Sequence, residues 1–228
     1  MCKNGDNHDK LAVKLSPSAL AETRALQRIE HENIVELVKL PTLPPNVVVT
    51  RWIEAPSLWT ARGFQASLAR FTEVLRPLAA AIAAVHKAGM VHGDICPDNI
   101  LIGQEATGLK LIDFELAHFP GQPEQSTGQR SRGTPITISP ECAAGNLATP
   151  ASDVYSLGCT AYFLATGQPP HTGRTSIEIC YKHLKLPCPP LKSDGLSNKL
   201  CTLVDQMLLR DPQDRPTIAE VAAELEVG

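Results

Sequence analysis

Residues 91–101 read V-H-G-D-I-C-P-D-N-I-L, and Asp113 follows Leu101 by twelve residues within Ile112-Asp113-Phe114. Asp94 and Asn99 stand five residues apart, a spacing suited to a loop that curls round one site. The apolar runs Ile100-Leu101-Ile102 and Leu109-Lys110-Leu111-Ile112 flank a link holding Gly103 and Gly108. That pattern predicts a hairpin. A hairpin there returns Asp113 to the side of Asp94 and Asn99. Two carboxylates and an amide at one point suit Mg²⁺ shared with phosphate oxygens, because Mg²⁺ takes few protein oxygens and keeps the rest of its shell for water and phosphate.

Other elements must hold that loop in place. Leu11-Ala12-Val13-Lys14-Leu15 reads as a strand carrying one lysine, after a turn signal at Asn4-Gly5-Asp6-Asn7. Ser16-Pro17 marks a helix start, and Leu20, Leu26 and Ile29 suggest its apolar face. Residues 35–38 and 47–53 read as strands joined through Pro41, Pro44 and Pro45. Leu68, Phe71, Leu75, Leu78, Ile82 and Val85 recur at spacings of 3, 4, 3, 4 and 3, one apolar stripe along a helix. Pro77 should weaken or kink that helix, and Lys87-Ala88-Gly89 should stop it. Residues 121–132 are polar and read as a loop, with Ser126, Thr127 and Ser131 as candidate phosphorylation sites. A long apolar helix should run from Ser152 to near Thr166-Gly167, and a terminal helix should follow Asp211-Pro212.

The chain has 228 residues, 43% of them apolar, so it can bury a substantial core. A net charge of −3 gives no reason to expect nucleic acid or an anionic membrane as partner. No apolar run approaches the length of a membrane span, and Met1-Cys2-Lys3-Asn4 opens no secretory signal. Seven cysteines without a C-x-x-C pair read as reduced thiols, which places the expectation in the cytoplasm. Cys180-x-x-His183 with Cys188 nearby hints at zinc but lacks a second matching pair.

H-G-D with its asparagine, followed by I-D-F, resembles the H-R-D-x-K-x-x-N and D-F-G loops of the protein kinase superfamily. Further parts match in order: A-V-K around Lys14; Glu22, nine residues before His31 in E-T-R-A-L-Q-R-I-E-H-E-N-I-V; Gly133-Thr134-Pro135 and Ser139-Pro140-Glu141; S-D-V-Y-S-L-G from Ser152; and D-P-Q-D-R-P-T from Asp211. The pattern is most similar to bacterial Hanks-type serine/threonine kinases. The resemblance implies an α+β, two-lobed kinase fold with a reduced β-rich small lobe (1–50), a hinge (51–58) and a mainly helical large lobe (59–228). It implies ATP and Mg²⁺ as cofactors and a protein serine or threonine as acceptor. Asp94 would take the acceptor proton, Asn99 and Asp113 would hold the metal, and Lys14 paired with Glu22 would position phosphate. Thr134 would serve the peptide platform and meet Asp94 through its hydroxyl. Ala12, Thr50, Arg51, Ile53 and Leu101 would border the adenine. Leu26 would pack on Phe114, Asp153 would brace the catalytic loop, and Arg215 would pair with Glu141.

Four departures stand beside the matches. Only 13 residues precede Lys14, with Gly5 the sole glycine, so no glycine-rich loop is present; either the chain is truncated or its true start lies upstream. Cys96 stands where these kinases carry the catalytic-loop lysine, Gly93 where they carry arginine, and Glu115 where D-F-G ends. Glutamate at 115 should restrict the swing of its loop. These changes leave two alternatives open. One is a pseudokinase acting as an interaction module. The other is a small-molecule phosphotransferase of the aminoglycoside or choline type, which H-G-D and I-D-F-E also resemble.

Overall fold

The computed structural model describes residues 10–61, 68–103, 108–120 and 133–227. The expected turn at 4–7 and the hydroxyls of Ser126, Thr127 and Ser131 lie outside them. The architecture is α+β, with two small sheets and a mainly helical remainder among the described residues.

Strand β1 (Leu11–Leu15) pairs antiparallel with β2 (Val47–Arg51), placing Lys14 opposite Val48 and Ala12 opposite Thr50. Side chains alternate along a strand, so Ala12 and Lys14 turn inward while Leu11, Val13 and Leu15 face outward. A second ladder joins β3 (Ile100–Leu101) to β4 (Lys110–Leu111), the expected hairpin in short form. The strand expected at 35–38 forms no ladder of its own. Val35 donates to the Leu111 carbonyl while Val38 donates to Val49, so this segment divides its hydrogen bonds between the two sheets and ties them together.

Helix α1 (Ala19–Leu26) is shorter than the pattern predicts, and Ile29 lies beyond its end. Its buried face is Ala19, Glu22, Ala25 and Leu26, while Leu20 is exposed. The three-and-four spacing counted from Ala19 therefore carries Glu22 inward and Leu20 outward. Helix α2 (Leu68–Lys87) runs for 20 residues through Pro77 and buries Phe71, Leu75, Leu78, Ile82 and Val85. It packs on α4 (Pro150–Thr166) and on α7 (Ile218–Val227). Around these lie α3 (Pro140–Ala143), α5 (Ser176–Lys185) and α6 (Asn198–Met207). Leu26 and Phe114 belong to one buried apolar cluster with the inward faces of α2 and α4. Among the described residues, no helix is long and apolar enough to cross a membrane.

The central helix α4 is started by a reciprocal cap. Thr149 Oγ1 accepts from the Ser152 N–H and Ser152 Oγ accepts from the Thr149 N–H. Pro150 at the first helical position needs no donor there. Thr149→Ala should lower stability by about 1 kcal/mol, read as a shift in the urea midpoint at unchanged slope. A shift under half that size would mean that packing alone sets the start of α4.

Candidate active site

The candidate site is built on Asp153, buried in the first turns of α4. Its Oδ2 accepts from the His92 N–H at 2.9 Å, and its Oδ1 from the Gly93 N–H at 2.9 Å. His86 Nε2, from the end of α2, lies 2.9 Å from Oδ2. A buried carboxylate that accepts several hydrogen bonds is rigid, and it fixes the loop bearing Asp94. His92 is fully buried against Phe114, ring centroids 4.6 Å apart. Burial lowers its pKa, so the ring is neutral. Its Nδ1 accepts from the Asp94 N–H, which leaves Nε2 to donate to the Ile112 carbonyl. His92 is thus a packing and orienting group.

Gly93 has φ +80°, and a Cβ there would sit 3.0 Å from the Leu116 carbonyl oxygen. The arginine of related loops does not fit this backbone cheaply, a positive φ costing most residues roughly 1–3 kcal/mol. Gly133 has φ +72°, and a Cβ there would approach Asp94 Oδ1 to 3.4 Å. That bare glycine lets the next residue close on Asp94. The Thr134 N–H donates to Asp94 Oδ1 at 2.7 Å, and Asn99 Nδ2 donates to Oδ2 at 3.1 Å and to the Asp94 carbonyl at 2.9 Å. Thr134 therefore meets Asp94 through its backbone N–H, where its hydroxyl is expected from the sequence. Cys96 is buried, and burial with the Asp94 charge pushes its thiol up to about 12. It is a neutral group at the position of the missing lysine.

The second half of the site is a lysine among carboxylates. Lys14 Nζ lies 2.7 Å from Asp113 Oδ1, 2.8 Å from Glu115 Oε2 and 3.2 Å from Glu22 Oε2. Burial acts to lower Lys14, but the hydrogen bonds to Asp113 and Glu115 and the Glu22 charge outweigh it and raise it. Burial raises Glu22, and Lys14 opposes this. Glu22 Oε1 accepts from the Phe114 N–H at 3.2 Å, while its Oε2 has no partner of hydrogen-bonding geometry. Glu115 is held low, chiefly by the Lys14 hydrogen bond, and also accepts from Ser16 Oγ at 2.9 Å. Asp113 has φ +62°, a left-handed backbone that few residues with a side chain adopt outside special sites. One ammonium faces three carboxylates, so the site carries excess negative charge beside Asn99, whose carbonyl accepts from the Ile112 N–H.

A third cluster sits below. Arg215 bonds both oxygens of Glu141 at 2.8 Å, and Ser152 Oγ donates to Glu141 Oε1 at 2.7 Å. This ties the segment that carries Gly133 and Thr134 to the entry of α4 and to the approach of α7.

The chain matches the protein kinase domain family over residues 2–225. The chain belongs to the protein kinase family. It is 32% identical over 213 residues to the serine/threonine-protein kinase PkaA of Streptomyces coelicolor, covering 91% of this chain and 39% of that relative. It is 36% identical over 161 residues to the serine/threonine-protein kinase PknB of Mycobacterium tuberculosis, covering 68% of this chain and 26% of the relative. It is 38% identical over 144 residues to PknL of the same species, covering 62% and 36%. The chain thus spans well under half the length of these curated relatives.

Within this kinase domain, the residues expected at the adenine divide. Ala12 and Thr50 face each other across β1 and β2. The Arg51 N–H donates to the Glu36 carbonyl at 2.9 Å, so it is not available to a base edge. The chain after β2 is fastened to the catalytic hairpin, with Leu58 donating to Ile100 and Ile102 donating to Pro56. That lays residues 56–58 along Leu101, while Ile53 packs against the apolar core. Three side chains take roles that no sequence motif marks. Glu115, a departure from glycine in the sequence, is a direct partner of Lys14. Ser16 anchors Glu115, and His86 joins Asp153. Each acts across more than 60 residues of chain, and no local pattern marks such a pair.

Proposed function

We propose that this kinase domain transfers the γ-phosphoryl group of ATP to a serine or threonine hydroxyl of a protein, in the cytoplasm. The observation that carries the reading is the Asp94 carboxylate. It is held by the substrate-platform N–H of Thr134 and by Asn99, on a loop braced by Asp153, beside a formed cluster of Lys14, Glu22 and Asp113. Asp94 would accept the proton of the incoming hydroxyl. Asn99 and Asp113 would hold Mg²⁺, and the excess carboxylate charge around Lys14 suits a divalent cation. Bound Mg·ATP supplies the phosphoryl group and part of its charge neutralisation. Lys14 would lend its charge to the phosphates, with Glu22 keeping it in place. Ala12, Thr50, Ile53 and Leu101 would border the base.

The test is thermal stabilisation by Mg·ATP together with radiolabel transfer to a generic protein acceptor, on the chain and on Lys14→Ala. Stabilisation removed by Lys14→Ala, with label transferred to protein, is the expected result. Stabilisation without transfer overturns catalysis, and transfer to amino-alcohol or aminoglycoside acceptors alone overturns the protein substrate. The metal-free Tm of Lys14→Ala should also fall. Because the folded pKa of Lys14 is raised, its contribution is fully present below about pH 10.5 and is lost as pH rises through the folded value.

Glu115 gives a separate prediction. It competes with phosphate for Lys14 and places a like charge beside it. Glu115→Gln should tighten Mg·ATP binding several-fold, measured by isothermal titration, with the gain shrinking at high salt. Equal or weaker affinity would mean that Glu115 helps to build the site.

A further inference from the structure

His171, His183 and Cys188 form a cluster outside the catalytic cleft. They bring one ligand atom each within 4.8 Å of one another. His171 Nε2 lies 3.7 Å from Cys188 Sγ. The Tyr155 hydroxyl joins the group, 2.8 Å from His183 Nδ1 and 3.1 Å from Cys188 Sγ. Both histidines are buried, His183 fully, and Cys188 is half-buried. Zn–N bonds near 2.0–2.1 Å and a Zn–S bond near 2.3 Å place tetrahedral ligand atoms about 3.4–3.7 Å apart. The His171–Cys188 pair, at 3.7 Å, already meets that spacing, and closing the 4.8 Å span to it takes a side-chain movement of about 1.1–1.4 Å.

The chemistry of the group is selective. Two imidazoles and one thiol suit a borderline-soft cation and not Mg²⁺ or Ca²⁺. Burial lowers both imidazoles, His183 to about 3, so each is in the neutral form that donates a lone pair. His183 Nε2 forms no hydrogen bond of good geometry, although the Ile136 backbone acts on the ring against burial. A cavity of about 330 Å³, walled by Tyr155, His183, Leu186, Cys188 and Asp205, gives a cation a way in.

We propose that His171, His183 and Cys188 bind one Zn²⁺, with the Tyr155 hydroxyl or a water in the fourth position. Binding would remove the Cys188 proton as the thiolate forms. The site is assembled from four places: α4 for Tyr155, the loop after it for His171, α5 for His183, and the loop beyond α5 for Cys188. It differs from the Cys180-x-x-His183 hint, since Cys180 is not a member of the cluster. Helix α5 packs on α3 and on the turn at 135–137. A cation here would pin α5 and its flanking loops behind the segment that carries Thr134. The proposal does not depend on phosphoryl transfer.

The test uses the full chain, stripped of metal by a chelator and titrated with Co²⁺ as a spectroscopic stand-in for Zn²⁺. One equivalent should produce strong visible ligand-field bands and a thiolate-to-cobalt charge-transfer band, both abolished by added Zn²⁺. Cys188→Ser should lose the charge-transfer band, His171→Ala should weaken binding by at least about tenfold, and Cys180→Ser should bind as the unaltered chain does. Metal-free circular dichroism and melting establish that each variant is folded. Should Cys188→Ser fail to fold, loss of the ligand-field bands in folded His171→Ala carries the same conclusion. No stoichiometric binding by the unaltered chain overturns the proposal, as does a charge-transfer band that survives in Cys188→Ser or disappears in Cys180→Ser.

Discussion

Asp94→Asn is expected to lower the rate of phosphoryl transfer by roughly 10²–10⁴-fold, while Mg·ATP affinity and Tm stay close to their original values. The carboxylate has two oxygens with different duties. Oδ1 receives the Thr134 N–H at 2.7 Å, and Oδ2 receives Asn99 Nδ2 at 3.1 Å. Asparagine can keep the first bond with its carbonyl oxygen. Its amide nitrogen then meets the amide of Asn99, and no proton acceptor remains for an incoming hydroxyl. The surrounding loop has its own support in the Asp153 bonds to His92 and Gly93, so the fold does not depend on the Asp94 charge. Single-turnover transfer should show the loss in kcat with the nucleotide KM little changed. Retained turnover would remove Asp94 from the chemistry, and a collapse of Tm would make it a structural group.

Arg215→Ala should produce the largest loss of stability, about 3–5 kcal/mol, because it strands a carboxylate only 12% exposed. A chain of this size should then melt roughly 6–20 °C lower. The guanidinium has five N–H groups in a fixed fork. Both NH groups bond Glu141 and reach on to the carbonyls of Ala151 and Arg210, while Nε bonds the Leu209 carbonyl. The plane stacks on Tyr155 at 4.8 Å, and the side chain has no solvent exposure. Lysine cannot reproduce a planar five-donor group, so Arg215→Lys should recover only part of the loss.

The same pair sets a pH dependence. Burial acts to raise Glu141, but the hydrogen bonds from Arg215 and Ser152 and the Arg215 charge outweigh it, and the carboxyl is lowered. Its contribution is present above the unfolded carboxyl value, about 4.3, and is lost as pH falls through the lower folded value. Without Arg215, burial raises the carboxyl, so protonation relieves the stranded charge and the stability gap between Arg215→Ala and the unaltered chain should narrow as pH falls. Urea unfolding of both proteins between about pH 3 and 7 measures this. A gap that stays constant across that range would show that Arg215 does not set the ionisation of Glu141.

Much of the domain is legible along the chain. The stripe from Phe71 to Val85 specifies α2 because a helix repeats its contacts every three to four residues. The paired apolar runs specify the hairpin that returns Asp113, and the run opening at Ser152 specifies α4, whose first turn begins two residues earlier at Pro150. Asp94, Asn99, Asp113, Lys14 and Glu22 could be picked out because residue type and order alone match a known arrangement of motifs. Segment 35–38 shows the limit. Its apolar residues predict a strand, yet its backbone bonds two different sheets, and only the arrangement of those sheets decides this. Leu20 shows another, since the phase of a two-turn helix depends on which side the core lies.

The charge pairs outside the matched motifs were decided by tertiary structure. Sequence identifies Glu115 as a departure from glycine, but its bond to Lys14 joins residues 101 positions apart. Likewise, Cys180 and His183 share a visible spacing, whereas the actual cluster takes His171 and Cys188 from loops on either side of α5. Periodicity and capping are short-range effects, so the amino-acid order determines the elements and the motif residues by itself. Ion pairs, hydrogen bonds between distant side chains and ligand clusters act through space, at separations that exist only once those elements have packed.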